Sequence, residues 1–268
     1  MKKLNVPVKS RGAVVFAFNT EINYVQIAEQ AARLITHILK LPVTLITNQP
    51  TDSKAFDQVI CIDHTIENRR PGRSQVWKNG NRYQAYELSP YDETLLLDAD
   101  YLILDDSLLK LFEQEFDYRI MTHNQIPDSA WVERMGQQSL QYQWATVVLF
   151  RKTIKARMLF ELVGKIQRNY LYYLNLYMIG RSNFRNDYAF TIANNILNGY
   201  DQGMNDGIPW PMLTFYDYVK SMTIKDSLIT VKEKDKAYII PKQNIHVMDK
   251  EYLLSDNFTD FVEQICAG

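Results

Sequence analysis

The chain has 268 residues, a formal net charge of −1 and an apolar fraction of 46%, which describe a globular protein of one large or two small domains. This charge argues against a protein that coats nucleic acid by charge alone, and no apolar run approaches the ~18 residues of a membrane span. Cys61 and Cys266 are too few for a disulfide framework and the first residues lack the apolar core of a signal peptide, so we expect a cytoplasmic protein.

Strands and helices alternate in the first half of the chain. Residues 13–18 predict a short strand that ends in a polar turn, and apolar side chains then recur at helical spacing as far as Pro42. Further strands are predicted at 43–47, 58–62, 94–100, 118–122 and 144–150, with a helix over 82–88. This alternation predicts an α/β fold with a mostly parallel sheet covered by helices on both faces.

The second half changes character. A long aromatic helix is predicted over 154–178 and another helix over 186–197, followed by a loop rich in Gly and Pro and a strand at 237–241. No internal repeat or clear linker interrupts the sequence. We therefore expect a single domain, residues 1–268, whose C-terminal part is a helical elaboration of the sheet.

Asp98 and Asp100 close the apolar run TLLLDAD. Side chains two residues apart on an extended chain point the same way, so both carboxylates can face one ligand. Such hard oxygen ligands suit Mg²⁺ or Mn²⁺. Ligands of parallel sheets bind at the carboxyl ends of the strands, and the polar turn at Asn19 falls on the same edge. A solvated acidic turn is the alternative interpretation.

The common signatures of other enzyme classes are absent from the sequence: no G-x-S-x-G, no P-loop and no G-x-G-x-x-G occurs. A basic run is present instead, comprising Arg69, Arg70, Arg73, Lys78 and Arg82. It is interpreted either as a solvated loop or as a cover that neutralises a pyrophosphate.

With these residues the chain resembles the GT-A glycosyltransferases, and more specifically the glycogenin-like retaining family (family eight). The resemblance and the basic run together imply a nucleotide-sugar site formed by Phe18, Asn19, Thr20, Tyr24, Arg73, Lys78, Arg82, Asp98 and Lys250. The resemblance also implies a divalent metal, Mn²⁺ or Mg²⁺, held by Asp98, Asp100 and His246. Asp187, at the start of a later helix, corresponds to the aspartate beside the sugar.

Two departures from the family pattern are visible. Residues 144–147, WATV, stand where family members carry a small-residue strand of the N-S-G-V type, and the C-terminal pattern is reduced to His246 and Lys250 with three residues between them. The nucleotide-binding half is expected over 1–125 and the acceptor-side half over 126–268.

The function implied is metal-dependent transfer of a hexosyl or pentosyl group from a nucleotide sugar, with UDP as the expected nucleotide, to an acceptor hydroxyl. The acceptor stays open between a glycan, a protein and a hydroxylated base in DNA, the last because basic residues along 152–168 could follow a phosphate backbone. A nucleotidyltransferase and a non-catalytic nucleotide-sugar-binding protein are the alternatives.

Overall fold

The computed structural model describes residues 10–63, 68–69, 76–77, 80–131, 134–135, 140–180, 183–201 and 207–267. Its first half alternates between strands and helices, as predicted. In chain order the elements are β1 (Arg11–Phe16), α1 (Tyr24–Leu39), β2 (Val43–Thr47), β3 (Gln58–Cys61), β4 (Asn68–Arg69), β5 (Val76–Trp77), a 3₁₀ helix (Gly80–Gln84), α2 (Ala85–Leu88), β6 (Glu93–Leu97), β7 (Tyr101–Leu102), α3 (Leu109–Phe112) and β8 (Tyr118–Met121).

The second half mixes helices with further strands. Its elements are β9 (Asn124–Ile126), β10 (Ser129–Trp131), β11 (Arg134–Met135), β12 (Leu140–Gln141), β13 (Trp144–Arg151), α4 (Ile154–Arg168), α5 (Tyr170–Leu176), α6 (Asn186–Leu197), β14 (Gly207–Ile208), β15 (Met212–Phe215), β16 (Val219–Lys225), β17 (Leu228–Glu233), β18 (Lys236–Pro241), β19 (Ile245–Val247), α7 (Lys250–Leu253) and α8 (Asp256–Ala267).

The central sheet has seven strands in the order β14-β8-β13-β6-β1-β2-β3. β13 runs antiparallel to both of its neighbours, and the other neighbouring pairs are parallel. The predicted α/β fold with a mostly parallel sheet is therefore confirmed. Because β1 and β6 are adjacent and parallel, the residues that follow Phe16 and Leu97 lie at the same edge of the sheet.

Continuous apolar sequence explains why these strands occupy the middle of the molecule. Every residue of β2 and β6 is buried, and β13 is buried except at its last residue. Strands of this kind are covered on both faces. Helix α1 supplies part of the cover through a buried apolar side that includes Ile27, Ala28 and Leu34.

Helix α1 begins and ends with local signals. The Asn23 side chain caps its N-terminus by accepting the N–H of Gln26 at 3.1 Å. Lys40 ends the helix in the left-handed conformation, with φ 55°. Pro42 then leads directly into β2, as the sequence predicts.

A second sheet, in the order β10-β9-β15-β19-β7, was not predicted from the sequence. In this sheet β19 pairs antiparallel with β7, and His246 lies opposite Tyr101. Since Tyr101 follows Asp100 directly, this pairing brings a histidine from the C-terminal part of the chain to the acidic turn.

The long helix predicted over 154–178 is two helices. Asn169 leaves the helical conformation, with φ −116° and ψ 31°, and its carbonyl accepts the N–H of Tyr172 at 3.0 Å to begin α5. Of the antiparallel sheet β16-β17-β18 only the last strand was predicted. None of the helices in the described ranges combines the length and the apolarity needed to cross a bilayer.

Candidate functional site

The acidic turn lies between β6 and β7, at the carboxyl edge of the central sheet. The Asp98 N–H donates to the carbonyl of Thr146 at 3.0 Å, and the Asp98 carbonyl accepts the N–H of Tyr101 at 3.2 Å. The side chain of Asp98 is 38% exposed and that of Asp100 is 15% exposed. The backbone is therefore fixed by the two neighbouring strands while both carboxylates can be reached from solvent.

Arg82 is a buried cation beside this turn. It lies on the 3₁₀ helix, its side chain is 4% exposed, and its Nη1 donates to Asp98 Oδ1 at 2.6 Å. Its Nη2 donates to the backbone carbonyls of Ala145 and Thr146. The guanidinium is thus held between β6 and β13, as a fixed positive charge at the sheet edge.

Asp100 faces two basic side chains. Its Oδ2 contacts the ammonium of Lys250 and lies 3.4 Å from His246 Nε2. Burial by itself would raise the pKa of Asp100, but Lys250 and His246 together hold that pKa well below its usual range. Asp100 is therefore ionised and presents negative charge to the site.

A polar pair behind His246 orients its ring. The Thr214 hydroxyl donates to Asn124 Oδ1 at 2.7 Å and lies 3.3 Å from His246 Nδ1. The Thr214 hydroxyl therefore contacts Nδ1 on one side of the ring, while Nε2 on the other side faces Asp100. A hydroxyl in contact with the far ring nitrogen holds the imidazole in one orientation. No sequence pattern singled out Thr214 or Asn124.

Asp187 joins the same edge from the first turn of α6. Its Oδ1 accepts the N–H of Ala145 at 2.9 Å, and its Oδ2 accepts from Arg185 Nη2 at 2.9 Å. Ala145 lies where the pairing of β13 with β8 shifts register, between Trp144 and Val148. Ala145 of β13 thus donates a hydrogen bond to Asp187 through its N–H and accepts one from Arg82 through its carbonyl.

The pKa of Asp98 responds to several of these groups. The pKa of Asp98 is raised by desolvation, an effect that Arg82 partly offsets. Asp100 and Asp187 raise this pKa further, while His246 lowers it. Three carboxylates and one imidazole therefore lie close enough to interact electrostatically, and a bound cation would stabilise the negative charge of the carboxylates.

The turn after β1 lies at the same edge of the sheet. Its polar side chains form hydrogen bonds with backbone groups of the turn and of α1. Asn19 Oδ1 accepts the N–H of Val25 at 3.0 Å, and the Asn19 N–H donates to Asn48 Oδ1 at 3.0 Å. Thr20 Oγ1 accepts the N–H of Ile22 at 3.2 Å. Phe18 is buried and Tyr24 is half-buried against the core.

A cavity of about 320 Å³ opens beside this turn. Asn19 lines it together with residues of α1 and of the loop after β2, namely Asn23, Val25, Gln26, Glu29, Gln49, Pro50 and Thr51. Arg73 and Lys78, the two remaining predicted donor-site residues, lie outside the described residues.

The donor chemistry of the acidic turn fits a divalent cation: two carboxylates and one imidazole, whose Nε2 faces Asp100. Within the described ranges, however, no three His, Cys, Asp or Glu side chains already surround one point as a metal site. Asp98 is bonded to Arg82, and Asp100 to Lys250. Metal binding would therefore require the carboxylates to exchange these basic partners for the ion.

No protein-family model and no curated protein matches this chain. Its structure is similar to that of the glycosyltransferase GlyE from Streptococcus pneumoniae TIGR4, with 18% identity, a TM-score of 0.43, and coverage of 75% of this chain but 45% of GlyE. It is also similar to LgtC, a galactosyltransferase solved with donor and acceptor sugar analogues, with 13% identity, a TM-score of 0.44, and coverage of 73% and 72%.

A third similar structure, the bifunctional glycosyltransferase WbbM, is 11% identical with a TM-score of 0.37, covering 72% of this chain and 38% of WbbM. This chain thus spans less than half the length of GlyE and of WbbM. At these identities and TM-scores the likeness assigns no donor, acceptor or residue role, so the chemistry has to come from the residues themselves.

Proposed function

We propose that this protein is a metal-dependent glycosyltransferase, which moves a sugar from a nucleotide-sugar donor, with UDP as the expected nucleotide, to an acceptor hydroxyl. The acidic pair Asp98 and Asp100, fixed at the carboxyl edge of a parallel strand beside His246, carries this proposal. A donor diphosphate at this edge would meet two carboxylates, two basic side chains and the imidazole within a single cluster.

The reaction breaks the bond between the anomeric carbon of the sugar and the diphosphate, and forms a bond from that carbon to the acceptor oxygen, whose proton passes to the departing diphosphate or to water. Negative charge collects on the departing diphosphate. Arg82 and Lys250 are two cations at the acidic turn that could neutralise it, once their carboxylate partners are released. A divalent ion bound by Asp98, Asp100 and His246 would supply further neutralisation without a proton.

Asp187 is the residue proposed to act on the sugar side. Its Oδ1 is held by a backbone N–H, so the carboxylate has a fixed position, and its Oδ2 pairs with the 37% exposed Arg185. A carboxylate in this position can stabilise positive charge that develops on the sugar, or orient the acceptor hydroxyl. Arg185 was not predicted from the sequence, although it stands two residues before Asp187.

Replacing Asp100 with asparagine should abolish the stabilisation that Mn²⁺ and a nucleoside diphosphate give together. A ligand at 100 times its dissociation constant stabilises a protein by roughly 2.7 kcal/mol, and that gain should disappear in the variant. Asparagine keeps the shape of the side chain but loses the charge that faces Lys250 and His246, so the melting temperature without ligand should fall moderately while the protein stays folded. Thermal unfolding with and without Mn²⁺ and UDP measures both quantities.

Asp106→Asn is the matched control, because Asp106 is an exposed aspartate shortly after the same turn. It should keep the full shift with Mn²⁺ and UDP. An undiminished shift in Asp100→Asn would contradict the metal proposal. Unfolding of Asp100→Asn without ligand would instead make the acidic pair a structural feature.

Turnover distinguishes the proposed function from its alternatives. The wild-type protein is incubated with a panel of nucleotide sugars and Mn²⁺, and the released products are separated. Release of a nucleoside diphosphate, even slow release to water, supports glycosyl transfer. A parallel incubation supplies a nucleoside triphosphate and a sugar phosphate instead. Release of pyrophosphate in that incubation would indicate a nucleotidyltransferase. Binding of a nucleotide sugar without any turnover would indicate a non-catalytic protein.

A further inference from the structure

A second cavity, of about 700 Å³, lies between α4 and the segment formed by the 3₁₀ helix and α2. We call it the α4 cavity. It shares no lining residue with the cavity beside Asn19. The 3₁₀ helix contributes to two places, because Arg82 contacts Asp98 at the acidic turn whereas the next residue, Tyr83, lines the α4 cavity. The volume is in the range of cavities that hold small-molecule ligands.

Two partly buried tyrosines form part of the wall of the α4 cavity. The Tyr83 ring lies against Gly164 of α4, where an added Cβ atom would come within 2.8 Å of the ring. The Tyr86 hydroxyl donates to the carbonyl of Thr153 at 3.1 Å, and the centroid of its ring lies 6.1 Å from that of Phe160. Both rings are therefore held in place by the protein itself, which lowers the cost of ordering them when a ligand binds.

Exposed charged side chains also line the α4 cavity, and their signs balance. They are the acidic residues Asp63, Glu87 and Glu161 and the basic residues Arg157, Lys165 and Arg168. Arg157 Nε lies 3.6 Å from Glu161 Oε1, and the Arg168 guanidinium lies over the Tyr83 ring, 5.9 Å from its centroid. The cavity therefore offers many hydrogen-bond donors and acceptors without a net charge that would favour an anion or a cation.

We propose that the α4 cavity binds a short neutral oligosaccharide. A sugar ring has an apolar face of C–H groups, which packs on a tyrosine ring, and hydroxyl groups that both donate and accept hydrogen bonds. Carboxylates accept from such hydroxyls, and guanidinium and ammonium groups donate to them, so a neutral sugar can use both signs of charge. An apolar ligand would desolvate these charged groups without giving them hydrogen bonds, and an anionic ligand would meet three carboxylates. Binding here needs neither metal nor nucleotide, so it does not depend on the proposed transferase activity.

Isothermal titration calorimetry with neutral trisaccharides tests this proposal. The full chain is titrated with maltotriose, cellotriose and triacetylchitotriose, without metal or nucleotide, and we expect at least one of them to bind. Tyr83→Ala should weaken that binding at least about tenfold, because it removes the aromatic surface on which the sugar packs. A heparin-derived tetrasaccharide should bind more weakly than the neutral sugar, because the three carboxylates repel its negative charge.

Tyr218→Ala is the matched control, because Tyr218 is 56% exposed, precedes β16 and does not line the α4 cavity. It should bind the trisaccharide like the wild type. Asp100→Asn should also keep this binding, and its loss there would place the sugar at the acidic turn and overturn the proposal for the α4 cavity.

A second variant keeps the test decisive if Tyr83→Ala does not fold. Glu87→Ala/Arg168→Ala changes two exposed side chains of the same cavity and should also weaken binding of the trisaccharide. The proposal is overturned if none of the three trisaccharides binds to the wild type, or if binding is undiminished in the folded cavity variants. Tighter binding of the heparin-derived tetrasaccharide than of every neutral sugar overturns it as well.

Discussion

Replacing Asp187 with asparagine should slow sugar transfer by a factor of about 10²–10³, the usual effect of removing one fixed group that stabilises developing charge. Asparagine keeps an oxygen that can accept the N–H of Ala145, so the geometry of the bulge in β13 should survive. The negative charge beside the sugar is lost. Donor binding should persist, because the diphosphate is held by other residues.

Steady-state kinetics and thermal unfolding together measure this effect. Loss of an interaction made only in the transition state lowers kcat and kcat/KM by the same factor. Asp187 also lies in the first turn of α6, where a carboxylate stabilises a helix by about 0.3–1 kcal/mol. A small decrease in melting temperature is therefore expected beside the large decrease in rate.

Asp256→Asn separates these two effects. Asp256 is the first residue of α8 and has the same favourable relation to its helix, but it is exposed and lies on another element. It should show the small loss of stability without the loss of rate. Transfer at the wild-type rate in Asp187→Asn would remove Asp187 from the site and leave the sugar side without an assigned residue.

The sequence predicted the buried strands of the central sheet in their order, because such strands are short continuous apolar runs, although the strands predicted over 13–18 and 94–100 end at Phe16 and Leu97. The run before Asp98 is such a strand, and the alternation of strands and helices predicts that it runs parallel to β1. The order of elements alone therefore places both polar turns at one edge of the sheet. The α/β fold agrees with that expectation.

Pairings between distant parts of the chain could not be predicted. His246 reaches Asp100 because β19 pairs with β7, a strand of two residues that carries no detectable sequence pattern. Thr214 and Asn124 support His246 from two further strands of the same sheet. The prediction of one helix over 154–178 was also wrong. The structure has two helices there, and nothing in the apolar spacing marks Asn169 as the point where α4 ends.

Asn19 illustrates a different limit. Its position after a strand suggested a contact with a ligand. In the structure its amide oxygen instead accepts the N–H of Val25, at the start of α1. Asn and Asp near helix N-termini commonly bond to the backbone, and the sequence pattern of such a cap is the same as that of a binding turn. A role in donor binding for Asn19 therefore remains a prediction.

Glu93 is a structural residue that the sequence did not single out, and its loss should be costly. It begins β6, at the end of the strand opposite to the acidic turn, and its side chain is 2% exposed. Arg11 on β1 and Arg151 on β13 lie opposite it in register, and their Nε atoms contact its two oxygens at 2.6 and 2.7 Å. One buried carboxylate thus joins three strands.

Glu93→Gln should lower the free energy of unfolding by about 3–5 kcal/mol, the usual cost of breaking a buried ion pair by removing one partner. The amide keeps the volume, so the loss reports on the charge that Arg11 and Arg151 would then lack. Glu113→Gln is the control: Glu113 also pairs with Arg11, at 2.9 Å, but is 72% exposed, so its loss should cost less than about 1 kcal/mol. Urea unfolding of the two variants measures the difference. If Glu93→Gln lowers the free energy of unfolding no more than Glu113→Gln does, the charge of Glu93 does not stabilise the fold. A large loss confined to Glu93→Gln would show that the buried carboxylate fixes three strands. The other ends of these strands position Asp98, Ala145 and the turn at Asn19.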